Sequence, residues 1–187
     1  PAEGTSCLLS ELPEELSRFG AKLDITAEEV IAENYTFYSL DPNEDPNADY
    51  RLDTISGFSL CPTLVSEYLQ GEDRMVNELQ ADGAVAGFFI YPLAGFRGEK
   101  RSEEILTLRD KAKAHMETPE GAACCSFIGG ATGIFCGYLD FIAWDFDATV
   151  RCMRAFFEEE GLPWLAARVF RREAHPLSIY DKQERED

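Results

Sequence analysis

The run AVAGFFIYPL, residues 84–93, carries ten consecutive residues without a charge. Its β-branched and aromatic content, and its closure by Pro92 and the glycines of LAGFRGEK, are those of a strand buried in the middle of a sheet. The rest of the chain is read around that strand.

Before it, YTFYSL and DTISGFSLC read as strands. The segment TLVSEYLQGEDRMVNELQADG reads as helix divided at Gly71, with Met75, Val76 and Leu79 as its apolar stripe. After it, RSEEILTLRDKAKAHME is an amphipathic helix capped by Ser102, with Ile105, Leu108, Ala112 and His115 on one stripe. AACCSFI and GIFCGYLDFIAWD follow as strands flanking a turn at GGATG. DATVRCMRAFFEEEG is then a helix carrying Val150, Met153 and Phe157, and PWLAARVF is the last strand.

A short helical N-terminal region is expected over about 8–34, from Pro13 at a helix start and from the capping box of Thr26 and Glu29. Used as a helix-turn-helix, it would present Glu28, Glu29 and Glu33 to DNA, which excludes that role. The charged C-terminal tail, about 178–187, is expected to fray.

The two halves share an order of Gly-aromatic strand, helix, acid-Gly and apolar strand. The expected fold class is therefore α+β. A single domain over 1–187 holds a mixed, mostly antiparallel sheet covered by helices on one face, as two ββαβ, ferredoxin-like halves.

With 35 acidic against 17 basic side chains, the net charge is −18. That field repels phosphate backbones and anionic headgroups, so neither nucleic acid nor membrane is an expected partner. No apolar run approaches the roughly 20 residues of a membrane-spanning helix, and no signal peptide opens the chain, so a cytoplasmic location is expected.

Metal and cofactor motifs are weak. In SLDPNEDPNADYRLD, Asp41, Asn43 and Asp45 match the first positions of a calcium loop, but Pro46 and Leu52 stand where Gly and Glu are needed. Asx turns between two strands are the favoured reading. FIGGATGIFCG lacks the Lys of a phosphate loop and precedes a strand. The six cysteines form no CxxC pair, and most lie in apolar contexts that favour buried free thiols. No cofactor or metal is expected. His115 reads as a boundary residue of the core.

Against the acidic background, Arg151, Arg154, Arg168, Arg171 and Arg172 form a late basic group near His175. Forked hydrogen bonds from such a group could hold a carboxylate or phosphate. Surface pairing with Glu158, Glu159 and Glu173 is the favoured account of it. Trp144, Phe146 and Trp164 are expected to seal the core. The leading functional expectation is a non-enzymatic acidic binding or regulatory protein, immunity- or inhibitor-like, acting on a protein partner that could be cationic. The alternative is an enzyme or sensor that binds a small anion through Arg168, Arg171, Arg172 and His175.

Overall fold

The computed structural model describes residues 35–182. The expected N-terminal helical region and the last residues, 183–187, lie outside the described residues. Seven strands form one sheet in the order β1-β2-β4-β5-β3-β6-β7, with every neighbouring pair antiparallel. They are β1 (Thr36–Ser39), β2 (Thr54–Ser59), β3 (Val85–Pro92), β4 (Cys125–Gly133), β5 (Cys136–Ala143), β6 (Trp164–Val169) and β7 (Leu177–Asp181). The helices are α1 (Pro62–Gln70), α2 (Arg74–Ala81), α3 (Arg101–Met116), α4 (Pro119–Ala122) and α5 (Phe146–Glu159). The fold is α+β, as expected.

The central apolar run becomes β3, which pairs with β5 along its whole length, from Val85 opposite Ala143 to Pro92 opposite Cys136. Both faces of β3 are buried. One face carries Ala86, Phe88 and Ile90, packed with Leu64, Val65 and Tyr68 of α1 and Val76 of α2. The other carries Phe89 and Tyr91, packed with Ile105, Leu108 and Ala112 of α3 and Met153 and Phe157 of α5. Helices therefore cover both faces rather than one, because a strand apolar on both sides needs cover on both.

The two halves are not separate ββαβ units. β4 and β5 lie between β2 and β3, so the first half has no contiguous sheet of its own. Two ferredoxin-like halves are therefore not confirmed; instead the single run β3-α3-β4-β5-α5-β6, with its strands in the order β4-β5-β3-β6 and both helices on one face, makes one split βαβ arrangement.

Several local expectations are corrected. Gly71 divides α1 from α2 as expected, in the left-handed conformation (φ 75°) that glycine adopts without a Cβ clash. The segment GGATG is not a turn. It lies inside β4, and the chain reverses at Ile134 and Phe135 instead. α3 begins at Arg101 without a side-chain cap, so Ser102 sits inside the helix. The tail supplies β7 up to Asp181, since backbone pairing with β6 outweighs its polar character. Trp144 is exposed and donates its indole N–H to the Ala123 carbonyl at 2.7 Å.

Candidate functional site

The late arginines are brought together, but with partners of their own. Arg168, buried on β6, forms a forked pair with Asp49, one arm at 3.2 Å, and also donates to the carbonyl of Arg172. Arg172 reaches Asp49 at 3.3 Å and lies over the Tyr68 ring. Arg171 bonds Asp73 at 2.6 Å, Asn77 at 2.8 Å and Gln80 at 3.0 Å. His175 is exposed, and no bond joins it to the three. Arg154 pairs with Glu158 on its own helix, and α5 packs on the opposite face of the sheet from Arg168. Arg168 and Arg172 thus fasten a loop and Arg171 fastens α2, so the three cations already hold carboxylates.

The loop that Arg168 and Arg172 fasten is the stretch 41–53. Asn43 Oδ1 accepts from the Asp45 N–H and Asp45 Oδ1 from the Asn47 N–H, each at 2.9 Å, so these oxygens make Asx turns. Asp49 docks on Arg168. Burial disfavours its ionised form, but the Arg168 hydrogen bond and the charges of Arg168 and Arg172 outweigh that and hold its pKa low. Further along, Arg51 bonds Asp140 of β5, and the Asp53 carboxylate accepts from the Tyr138 hydroxyl and from the N–H groups of Phe135 and Cys136.

A different arginine faces open space. Arg109 of α3 is 5 % exposed, and among the described residues no carboxylate pairs with it. Its Nη2 donates to Thr132 Oγ1 at 2.8 Å, while Nε has no partner. The other buried arginines, Arg51 and Arg168, each hold an aspartate. A cation left unpaired in a low-dielectric setting is costly, and an anion at that point would relieve the cost.

Glycine makes the room. A Cβ on Gly130 would stand 3.1 Å from Arg109 Nε, and one on Gly137 would stand 2.3 Å from the Tyr91 ring, so β4 and β5 are bare where these two side chains lie. Tyr91 is fully buried, with its hydroxyl within reach of the Arg109 guanidinium. Burial raises its pKa, and the charge of Arg109 and a hydrogen bond with it offset part of that rise.

Arg109 and Thr132 form the floor of a cleft of about 420 Å³ between α3 and the β1–β2 edge. Phe37, Phe58 and Leu106 wall it, and Ser39 and Ser56 add hydroxyls. The Arg109 guanidinium lies 5.4 Å from the centre of the Phe58 ring. A concave apolar wall with one buried cation is the usual composition of a site for a small organic anion. The helical stripe that places Ile105, Leu108 and Ala112 in the core passes through Arg109 too, and that spacing is the signal that could have found it. Comparison with known proteins finds no matching family model, no matching curated protein and no matching solved structure.

Proposed function

We propose that this protein is a binding protein for a small organic anion, a carboxylate with an apolar body, held over Arg109. The observation that carries the reading is a buried guanidinium that, unlike those of Arg51 and Arg168, holds no carboxylate among the described residues, in the lining of an aromatic-walled cleft. The carboxylate would take the charge-assisted bonds of Arg109, and the apolar body would lie between Phe37, Phe58 and Leu106. The ligand reading thus moves from Arg168, Arg171 and Arg172, whose charges are already met, to Arg109.

Calorimetry with benzoate and hexanoate, each against its uncharged amide, tests this reading. Binding of a carboxylate but not its amide, lost in Arg109→Met, is the expected result. Equal heats in Arg109→Met and the native chain would sink it.

A protein partner remains a second reading, favoured by one observation. Phe37 is 79 % exposed on the edge strand β1 and Leu106 is 52 % exposed on α3, both at the cleft rim. An apolar rim on a chain of charge −18 suits a partner whose capture weakens as salt rises. A pull-down whose bound fraction is the same at low and high salt would count against an acidic-surface partner.

A further inference from the structure

A second cleft, on the same side of the sheet but between α3, α4 and α5, holds chemistry that anion binding does not use. His115 comes from α3 and Cys152 from α5, and Cys152 Sγ stands 3.3 Å from His115 Nε2. The imidazole is packed against Phe156, ring centres 5.2 Å apart, which fixes the direction of its Nε2. The cleft, about 370 Å³, opens onto both side chains and onto Cys124.

We propose that Cys152 is a nucleophilic thiol with His115 as its base, exchanging with low-molecular-weight disulfides, and that Cys124 resolves the mixed disulfide. A base within hydrogen-bond reach of a thiol is the minimal arrangement for such a nucleophile. In the first step His115 Nε2 takes the Cys152 proton and the sulfur attacks one sulfur of the disulfide. A new S–S bond forms, the old one breaks, and the leaving thiolate departs as a thiol with the proton from His115. In the second step Cys124 attacks Cys152 Sγ, and the second small thiol leaves with the Cys124 proton. Two protein thiols are oxidised to one disulfide, and one small disulfide is reduced to two thiols.

Placement supports the second step. The Cys124 carbonyl accepts from Thr149 Oγ1 at 3.3 Å, and Cys152 lies one turn further along the same helix. Cys124 therefore sits beneath the face of α5 that carries Cys152. Its Sγ contacts the Gly121 carbonyl at 3.2 Å.

The other described cysteines lack this arrangement. Burial pushes the Cys125 and Cys136 thiols up to about 12, and Cys61 has no imidazole beside it. Cys152 is also raised, first by burial and then by Cys124 and Glu120, so its proton stays on until a base removes it. His115 is that base.

The test uses the reduced full chain and bis(2-hydroxyethyl) disulfide at neutral pH, with an acid quench and mass mapping of all six cysteines. The expected first adduct is on Cys152, followed by a Cys124–Cys152 link. Cys124→Ser should trap the mixed disulfide on Cys152. His115→Gln should slow that adduct at least about tenfold at neutral pH and less in alkali, where hydroxide replaces the base. The rate at Cys61 in the same sample controls for loss of fold. The proposal is overturned if Cys152 reacts no faster than Cys61, if His115→Gln leaves the Cys152 rate unchanged, or if Cys124→Ser leaves the product unchanged.

Discussion

Arg51 and Asp140 form an ion pair in which neither side chain is more than 1 % exposed. Arg51 takes φ 70°, a left-handed conformation that an arginine adopts only where its surroundings compel it. Its guanidinium also donates to the Tyr38 hydroxyl at 2.9 Å and lies near the rings of Phe88, Tyr138 and Phe170. The pair pins the stretch before β2 onto β5. Asp140→Asn leaves the cation buried without its counter-charge and should cost about 3–5 kcal/mol. Replacing both partners by apolar residues should cost less than that single change. Urea denaturation measures both, and a cost under about 1 kcal/mol for Asp140→Asn would show that water reaches the pair.

Arg109 presents the opposite case, a buried cation without a carboxylate among the described residues. Arg109→Met keeps the apolar stem, removes the charge and should raise stability by about 1 kcal/mol while abolishing carboxylate binding. A function-for-stability exchange of this kind marks a binding residue. A loss of about 2 kcal/mol or more would make Arg109 a clamp acting through Thr132 instead.

Gly133 faces the Asp53 carboxylate, and an added Cβ would come within 2.2 Å of Oδ2. That oxygen accepts from the N–H groups of Phe135 and Cys136, so it has little freedom to move. Gly133→Ala should cost about 1–3 kcal/mol through overpacking. Gly95 meets nothing within 4 Å, and Gly95→Ala should change stability by no more than about 0.5 kcal/mol. Equal melting shifts for the two variants would contradict the close approach.

The order of elements was legible because periodicity survives in local sequence, and every strand and helix reading between 53 and 169 has a counterpart. Two-sided cover was misread as one-sided, although a continuous apolar run such as AVAGFFIYPL already implies burial on both faces. Strand order was not, because inserting β4 and β5 between β2 and β3 is a non-local pairing that no short window records. The glycines of β4 misled for a physical reason. They read as a turn, whereas three of them leave space for Phe58, Arg109 and Asp53 to approach the sheet. A lone acid inside GYLDFIA, Asp140, was a usable sign of a buried partner, but its identity as Arg51, 89 residues away, was not.

Acid should loosen the stretch 41–53 through Asp49. Its pKa lies below the ordinary 3.8 in the folded chain, so its contribution to stability is present above that value and lost as pH falls through the lower folded value. The stability gap between the native chain and Asp49→Asn should therefore be constant near neutrality and close in strong acid. A gap that persists at the lowest pH would mean that the carboxylate's charge is not what binds Arg168.

Alkali should act through the tyrosines. All seven have raised pKa values, each chiefly from burial, with Tyr68 and Tyr180 pushed up to about 12. A phenol that ionises near 10 when unfolded and higher when folded contributes stability that is complete below 10 and lost as pH rises towards the folded value. Native protein near pH 10.5 should thus show less phenolate absorbance than the unfolded chain at the same pH, and adding denaturant there should raise it. Equal phenolate absorbance of native and denatured protein near pH 10.5 would show that these rings are wetter than their packing implies.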